Sequence, residues 1–556
     1  MVDRLRRFEF PIFIAGLLTA ALLVVMLYYP VASVLAEAVL VDGRVTLDPI
    51  RSIVTDPFYW GLFRFTAYQA LLSTLASLAL GLPGAYLLAR YEFPGRRTIR
   101  SLTLVPFVLP SIMVAVGFAA MFGSNGPPNR ALAALGLPTI ELMFTLQIIV
   151  LAHAFYNAPL VVRVVAAAWE NVDTRTVETA RSLGASPIRA FRDVVVPQLL
   201  PSILTSALLV FIFTFMSFPI VLALGGLELA TVEVWLYDRI RNLKLGEAAV
   251  LAVLEAAITL GLTYVYLRYE TSQAATRGIS LRARKRLFGG LDVERLAICA
   301  YAVIIAFVFV GPVVSMLLAS VTNDGDVTLR YYELLFARRD AVVGTRPDLA
   351  IRNSLVFAFG ALVLAVPMGV VISLVTARDT PFARLVGTFA MVPFAVSGIV
   401  VGLGLLQTVV FGIDLFGYRL QVTGAIAIVA AHAVSAYPFV VRTVAPALSS
   451  MDDRLVESAR ALGATRTRAL VDIELPLAMP AVAAGAAFAF AISIGEFSST
   501  VVLIEGGDAY TMPVAVERYL ADRTLGPATA MGSVLLVVTS VSFVVIERLG
   551  AYGGIE

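Results

Sequence analysis

Very few side chains in this sequence could support catalysis or metal binding. His153, His432 and Cys299 all lie in apolar segments, and their spacing matches no set of metal ligands. Lys244 and Lys285 are the only lysines, and neither follows a glycine, so the sequence has no phosphate-binding loop of the Gly-Lys-Ser/Thr kind. We therefore expect no metal site and no ATP hydrolysis by this chain. A membrane-embedded enzyme is disfavoured, because it would need a catalytic constellation.

The composition predicts a membrane protein. Of the 556 residues, 59% are hydrophobic and 15% are charged, and the mean hydropathy is +0.88. Soluble domains are about 45–50% apolar and about 25% charged. These values exclude a water-soluble enzyme, a disordered chain, a collagen-like chain and a nucleic-acid-binding basic domain, while the net charge of +3 says little about partners.

Continuous apolar runs predict about twelve membrane-spanning helices, since a span needs roughly 20 mostly apolar residues. Runs without alternation favour helices over a barrel of strands. The predicted helices lie near residues 10–36, 61–89, 101–123, 141–168, 198–224, 246–267, 296–320, 353–377, 385–412, 420–447, 477–504 and 525–546.

The basic residues indicate how the chain is oriented. The first apolar run is about 25 residues long, too long for the 7–15-residue core of a signal peptide, so we interpret it as a retained helix. Arginine and lysine are concentrated in the segments that would be cytoplasmic if the N-terminus were cytoplasmic. We therefore predict a protein of the cell membrane with both termini on the cytoplasmic side. Two such segments carry Arg90, Arg96, Arg97 and Arg100, and Arg277, Arg282, Arg284, Lys285 and Arg286.

The chain contains an internal repeat. Residues 152–203 align without a gap on residues 431–482, a separation of 279 positions. Pro106 and Pro393 match further upstream with a slightly larger separation, so the halves differ by a short insertion. Because each half has an even number of predicted helices, the halves have the same orientation and form a parallel repeat. We predict an all-α polytopic membrane protein with a first repeat at 1–269, a cytoplasmic linker at 270–291 and a second repeat at 292–556.

One repeated segment differs from the apolar runs around it. Residues 173–193 and 452–472 are charged and lie on the predicted cytoplasmic side. Each has an alanine- and arginine-rich helical stretch, a glycine at Gly184 or Gly463, and a second short helix. The glycine can supply a positive φ at a corner. Pro197 and Pro476 are predicted to open the next membrane helix, where a missing N–H costs least. A solvated loop does not need the same corner twice, whereas a docking element for a two-fold partner does.

These residues resemble the EAA motif of ABC importer permeases. The resemblance rests on Glu178-Thr179-Ala180 with Gly184 and Pro197, and on Glu457-Ser458-Ala459 with Gly463 and an Ile-Glu-Leu-Pro run ending at Pro476. It covers about 61–267 and 351–546, most of the chain. The departures, such as Thr179 and Ser458 in place of alanine, are mild.

The resemblance implies the fold, the partners and the mechanism. It implies a fused permease of the type I ABC importer fold, whose coupling segments at 173–193 and 452–472 dock two copies of a cytoplasmic ATPase subunit. That subunit would use ATP and Mg²⁺, so no cofactor is expected in this chain, and an extracytoplasmic solute-binding protein would deliver the solute. The first half resembles thiamine permeases, and the second resembles iron, sulfate or polyamine permeases, so thiamine and ferric iron are the expected solutes. The competing class is an ion-driven secondary transporter, which predicts several buried charged pairs and no EAA segment.

Two carboxylates in apolar runs are candidates for the translocation path. Glu496 and Glu255 are either structural acids or contacts to a cationic solute or gate, since carboxylates inside a membrane usually face a cavity or a partner. The counterpart of Glu496 is Ser217, and an aromatic residue follows each. We expect Glu496 to face the interface between the halves, and Phe218 and Phe497 to form an outer gate.

The remaining polar residues have plainer interpretations. His153 and His432 are each expected to be neutral and to bond a neighbouring helix. The external stretches 225–247 and 505–524 read as a solvated surface or, from the resemblance, as a docking site for the binding protein. Their charged residues are Glu233, Asp238, Arg239, Arg241, Glu517, Arg518, Asp522 and Arg523.

Overall fold

The fold is described from a computed structural model. Its first half consists of helices joined by short loops. The structure describes residues 10–41, 43–102, 109–273, 285–287, 293–323, 326–336, 346–378, 380–415, 418–504 and 510–552. The helices of the first half are α1 (Phe10–Leu23), α2 (Tyr29–Val39), α3 (Asp48–Thr55), α4 (Pro57–Arg90), α5 (Arg96–Leu102), α6 (Ser111–Phe122), α7 (Pro127–Ala134), α8 (Leu146–Glu170), α9 (Thr174–Ser182), α10 (Pro187–Ala190), α11 (Val196–Phe215), α12 (Pro219–Gly225), α13 (Val232–Arg241) and α14 (Leu245–Gln273).

The second half repeats this order. Its helices are α15 (Val293–Ser320), α16 (Arg330–Phe336), α17 (Pro347–Thr376), α18 (Pro381–Ala390), α19 (Gly398–Leu405), α20 (Gly424–Ser449), α21 (Asp453–Ala461), α22 (Arg466–Ala469), α23 (Leu475–Gly495), α24 (Ser498–Leu503), α25 (Met512–Ala521) and α26 (Leu525–Tyr552). Short π or 3-10 turns lie between some of them, at Val24–Tyr28, Phe191–Val195, Val392–Phe394, Leu406–Val410 and Leu470–Glu474.

The strands described in the structure are only two or three residues long. They pair as β1 (Leu40–Val41) with β2 (Arg44–Val45), β3 (Tyr91–Glu92) with β4 (Lys285–Arg286), β5 (Thr322–Asn323) with β6 (Asp326–Val327), and β7 (Ile413–Leu415) with β8 (Tyr418–Leu420). The β3–β4 pair is parallel and the others are antiparallel. Most of the predicted linker 270–291 lies outside the described residues, as does Pro106.

The third predicted span of the second half is bent, and that of the first half is only partly within the described residues. Among the described residues, ten helices are long and apolar enough to cross a membrane, or eleven if one bent pair counts as a single span. That pair, Pro381–Phe394 and Gly398–Val410, is bent by 93°. Its counterpart α6 has 12 residues and is only about 18 Å long, against a hydrocarbon core of about 30 Å.

Local capping explains the bend in the second half. The Ser397 hydroxyl accepts the Val400 N–H at 3.3 Å, so a new helix starts there. In the first half Pro110, in an extended conformation, immediately precedes α6. Hydropathy predicts a single span over the bend in the second half because it does not register a cap inside an apolar run.

The first long helix of each half packs on the other half. Helix α2 lies against α14 of its own half but also against α19 of the second half. In the same way, α15 lies against α26 and against α6 of the first half. The two halves are therefore joined by a reciprocal exchange of their first helices, as expected for parallel repeats related by a two-fold axis.

Two matched glycine–proline contacts secure this exchange. A Cβ on Gly404 of α19 would lie 2.6 Å from the carbonyl oxygen of Pro30 in α2. A Cβ on Gly117 of α6 would lie 3.0 Å from the carbonyl oxygen of Pro312 in α15. Both neighbours are backbone atoms, so an added Cβ on Gly404 would force a backbone shift, and one on Gly117 would need a smaller adjustment. Small residues at such contacts are the usual means of helix association in membranes, where burial of apolar surface supplies little force between helices.

We expect Gly404→Ala to destabilise the protein by about 1–3 kcal/mol, because the new Cβ has no flexible neighbour to displace. Gly117→Ala should cost less, since its backbone neighbour is farther away. The control is Gly61→Ala in α4, where nothing lies within 4 Å of the added Cβ and alanine favours the helix by about 1 kcal/mol. Thermal unfolding in detergent measures the difference. Equal midpoints for Gly404→Ala and Gly61→Ala would contradict the prediction.

Candidate functional site

Each coupling segment is a helix, a glycine corner and a second short helix, as the sequence predicts. Helix α9 follows Asp173, whose carboxylate accepts the Arg175 N–H at 2.9 Å and the Thr176 hydroxyl at 2.7 Å. These hydrogen bonds hold the pKa of Asp173 below its usual range. Asp452 caps α21 in the same way, accepting the Arg454 N–H at 3.0 Å. The two corners therefore begin with the same cap.

The glycines close the two corners in a conformation that L side chains rarely adopt. Gly184 has φ +91° and Gly463 has φ +93°. The carbonyl oxygen of Ala180 accepts a 3.0 Å bond from the N–H of the residue after Gly184, and Ala459 accepts the same 3.0 Å bond in the second half. Nothing in the chain lies within 4 Å of a Cβ built on either glycine. The glycines are thus required by backbone conformation, and the space beside them is open.

The coupling segments expose apolar side chains. No residue of α9 or α21 is buried. Leu183 is 83% exposed, Leu462 is 90% exposed and Ile188 is 80% exposed. Glu178 and Glu457 of the motif are exposed beside them. Exposed leucines at the same point of two matching corners are typical of a surface that a partner covers.

Pro197 and Pro476 lie in the first turn of α11 and α23, as the sequence predicts, but these helices are not the start of the continuous helical segment. Each helix already begins in the coupling segment, at α10 or α22, and continues through a five-residue π turn, Phe191–Val195 or Leu470–Glu474, before it reaches the proline. The wider turn accommodates a residue that has no N–H to donate. The coupling corner and the membrane helix therefore form one continuous rod in each half.

The two corners are anchored by different interactions. In the first half Val172, Val195 and Leu199 form a small buried cluster. In the second half the guanidinium of Arg466 donates to both carboxylate oxygens of Glu474, with one N–H···O distance of 2.8 Å. The position equivalent to Glu474 is Val195, so the ion pair is not repeated. The geometry of the corners is shared although the chemistry that supports them is not.

The outer ends of the rods are broken, where the sequence predicts helices that continue to residues 224 and 504. Helix α11 ends at Phe215 and α12 starts at Pro219, while α23 ends at Gly495 and α24 starts at Ser498. Glu496 is therefore not inside a helix but in the break, with ψ 123°.

The two histidines tie these breaks to neighbouring residues. His153 lies between the hydroxyls of Ser73, at 3.0 Å, and Ser217, at 2.8 Å. His432 lies 2.8 Å from the hydroxyl of Ser493 before the break and 2.8 Å from that of Thr500 after it. Both rings are buried, and both ring nitrogens of each have a hydroxyl partner. This is the structural role expected for neutral histidines that bond a neighbouring helix.

An aromatic pair joins the two breaks across the halves. The rings of Phe218 and Phe497 stack with centroids 5.4 Å apart and an interplanar angle of 21°. They are 1% and 2% exposed. Because these residues occupy equivalent positions of the repeat, their contact must lie on the pseudo-two-fold axis.

Two further equivalent pairs mark the same axis. Tyr237 of α13 and Glu517 of α25 are close enough to interact electrostatically. Arg163 of α8 and Arg442 of α20 also interact electrostatically, and both are exposed. Arg163 lies ten residues from His153 along α8, or about 15 Å towards the coupling segment. The phenylalanine pair is therefore buried on this axis, whereas the arginine pair is exposed.

Glu496 points back into the protein at this closure. Its Oε1 accepts the Ser499 N–H at 2.9 Å and the Ser499 hydroxyl at 3.0 Å. The same oxygen lies 3.2 Å from the position of a Cβ on Gly398, at the bend before α19. A Cβ on the preceding residue, Gly495, would touch Pro110 of the first half at 3.0 Å. The structure thus places Glu496 beside the interface between the halves.

Glu255 has a partner that sequence reasoning assigned to a solvated surface. Glu255 of α14 is 1% exposed, and its carboxyl group lies next to that of Glu233, which is 0% exposed. Val232 and Leu236 of α13 are also fully buried, so this external stretch is packed into the protein. No local signal could pair the two acids, because they lie on different helices. The other charged residues that the structure describes in the two stretches are at least partly exposed, and a docking role for them stays a prediction.

Comparison with protein families gives a match to each half. Residues 81–270 and 361–551 both match the family described as "binding-protein-dependent transport system inner membrane component". Together the two matches cover more than half of the chain. The chain belongs to this family. Both EAA segments lie within the matched residues, so the protein is a fused, multi-pass permease of the ABC importer type.

Individual relatives agree with this assignment. The permease is 27% identical over 504 residues to the thiamine transport system permease protein ThiP of Brucella abortus, with 89% of each chain covered. It is 28% identical over 266 residues to the putative 2-aminoethylphosphonate transport system permease protein PhnU of Salmonella typhi, a match covering 47% of this chain and 92% of that protein. A crystal structure of a bacterial ABC transporter that imports the polysaccharide alginate aligns with a TM-score of 0.40 and 15% identity, covering 47% of this chain and 94% of that chain.

We expect Gly184→Val and Gly463→Val to uncouple or release the ATPase while the permease still inserts in the membrane. A β-branched residue at this φ costs about 1–2 kcal/mol and distorts the corner. Gly184→Asn is the matched control, because asparagine tolerates the left-handed conformation best among non-glycine residues. Co-purification of the ATPase and transport-linked ATP hydrolysis are the measurements. Wild-type values for both valine variants would refute the role of the corners.

We expect Glu496→Gln to assemble with its ATPase but to transport at a changed rate. Glutamine keeps the acceptor for the Ser499 N–H and loses only the charge. Glu496→Ala removes the acceptor as well and should cost about 1 kcal/mol of stability, as for other lost helix caps. Thermal unfolding and uptake rates separate the two effects. If glutamine and alanine prove equally destabilising, the capping contact is not what stabilises this break.

Proposed function

We propose that this permease binds two copies of an ABC ATPase subunit, one at each coupling segment, and imports thiamine delivered by an extracytoplasmic binding protein. The observation that carries the proposal is the pair of matching exposed corners. They share the aspartate cap, the glycine φ and an exposed leucine, although their supporting residues differ. The two corners present the same exposed surface although different residues hold them in place. This arrangement fits a partner that binds in two copies, one at each corner.

The rods give the ATPase a mechanical link to the gate. The span Pro187–Phe215 has 29 residues and reaches about 44 Å from the first corner to the break before Phe218. The span Arg466–Gly495 makes the same connection to Phe497. Closure of the ATPase pair on ATP would move both corners, and the rods would carry this motion to the stacked phenylalanines. The outer side would then open as the inner side closes.

The orientation follows from the same arrangement. The corners must be cytoplasmic to meet the ATPase, so the arginine pair at Arg163 and Arg442 would face the cytoplasm and the phenylalanine pair would lie on the outer side. Both termini would then be cytoplasmic, in agreement with the distribution of basic residues. In this orientation the structure would correspond to a state that is closed on the outer side at the phenylalanine pair, with the arginine pair accessible from the cytoplasm.

The choice of solute rests on the relatives. The ThiP match covers both halves of this chain, whereas the PhnU match covers only one. Thiamine carries a fixed positive charge, and the buried carboxylates near the gate suit a cation. Ferric iron, the other solute suggested by the sequence, stays a prediction, whereas the family match argues against an ion-driven secondary transporter.

We expect the purified chain alone neither to bind nor to hydrolyse ATP, since it has no phosphate-binding loop. Reconstituted with its ATPase and binding protein, it should take up thiamine only when ATP is supplied on the side of the ATPase. Uptake should persist after ionophores collapse the proton and sodium gradients. Uptake that follows an ion gradient without ATP would assign the protein to the secondary transporters.

A further inference from the structure

Two carboxyl groups in the first half are buried together without a cation. Glu233 and Glu255 are at most 1% exposed, and none of their four carboxylate oxygens accepts a hydrogen bond from a donor among the described residues. Helix α13 packs against α14 and α19, which places the two carboxyl groups close enough to interact electrostatically and Ser397 near Glu233. Carboxylates this close repel each other, and such a pair is stable only if it shares a proton or binds a cation.

The pair lies where the two halves meet. Glu233 is on α13 and Glu255 on α14, both in the first half, while Ser397 caps α19 of the second half. Helix α13 packs against α19, and one turn after Glu255 the Thr259 hydroxyl donates to the carbonyl of Ala395 at 2.9 Å. Any motion that separates the halves on this side therefore exposes the pair.

The internal repeat shows that the fold does not need acids here. Helices α13 and α25 both have ten residues and both follow a threonine, and α14 and α26 both begin with Leu-Gly. This alignment places Pro513 opposite Glu233 and Leu535 opposite Glu255. Leu535 is fully buried in the second half. The first half thus packs this pair of helices with two acids, and the second half packs the equivalent pair with none.

A third acid and three aromatic rings surround the same bend. Glu496 lies against Gly398, the neighbour of Ser397, and its counterpart in the first half is Ser217. The stacked Phe218 and Phe497 are adjacent, and Tyr237 contacts Phe218 edge-to-face with centroids 5.1 Å apart. Carboxylates beside aromatic faces are the usual combination for binding an organic cation.

We propose that Glu233 and Glu255 form a binding site for the positively charged ring of the solute during its passage through the permease. The site is closed in the state described here and opens when α13 separates from Ser397. A cation then replaces the shared proton as the partner of the pair. This inference rests on the proposed function, because it assumes a cationic solute.

The test compares conservative variants of the permease reconstituted in vesicles with its ATPase and thiamine-loaded binding protein. The double variant Glu233→Gln, Glu255→Gln should import radiolabelled thiamine at least about tenfold less per ATP hydrolysed. Stimulation of ATP hydrolysis by the loaded binding protein should stay within about twofold of wild type. Glu255→Leu, which places the second-half residue in the first half, should have the same effect.

Glu247→Gln is the matched control. Glu247 lies two turns before Glu255 on α14, and its carboxylate already has partners. The Tyr59 hydroxyl donates a hydrogen bond to it, and Arg239 forms an ion pair with it at 3.6 Å. Its replacement should leave thiamine imported per ATP within about twofold of wild type. A double variant that imports thiamine at the wild-type ratio would overturn the proposal, as would an equal loss in Glu247→Gln. If the double variant fails to assemble, Glu255→Gln alone is judged by the same criteria.

A second measurement does not depend on transport. A lipid-soluble carbodiimide modifies carboxyl groups that hold a proton, and mass spectrometry locates the adduct. With the complex locked in the ATP-bound state, thiamine should reduce modification of Glu233 and Glu255 at least about fivefold, and 2-aminoethylphosphonate should not. Equal modification with and without thiamine would refute the site. Wild-type vesicles that import no thiamine with ATP would instead refute the solute assigned under the proposed function.

Discussion

The close approach of two glycines to two proline-bearing helices holds the halves of this permease together. In hydrocarbon the burial of apolar surface supplies little force between helices, so association depends on tight backbone contact. Gly404 against Pro30 and Gly117 against Pro312 provide that contact at equivalent places. Each half thereby holds the first helix of the other. The rest of the structure, including the axis between the halves, depends on this reciprocal attachment.

The repeat is kept at the exposed coupling corners and in the glycine and phenylalanine contacts between the halves, but it is lost at the buried acids. The coupling corners have the same caps, the same glycine conformation and the same exposed leucine. Three buried or half-buried acids, Glu233, Glu255 and Glu496, have no acidic counterpart. A two-fold partner requires two equal surfaces, whereas a small asymmetric solute on the axis cannot contact two halves in the same way. The internal duplication therefore separates residues that the fold needs from residues that a function needs.

Continuity of the backbone connects these two regions. A π turn carries each rod past its proline without a break, so the corner and the membrane helix move together. The rods end at the breaks beside the stacked Phe218 and Phe497, and a histidine bonded to two hydroxyls ties each break to its surroundings. Continuous helical segments that end at a tethered break suit the gating motion proposed above.

The sequence alone determined the membrane location, the parallel repeat and the coupling corners. These features depend on local or periodic sequence patterns. A long apolar run indicates that a segment lies in the membrane, and a motif with a glycine at a fixed position determines its own turn. Tertiary structure decided where the helices break and which acids meet. The bend at Ser397 depends on one cap inside an apolar run, which hydropathy averages away. Glu233 reads as a solvated charge in sequence, yet packing buries it against Glu255, because contact between two helices depends on their relative placement and not on either pattern by itself.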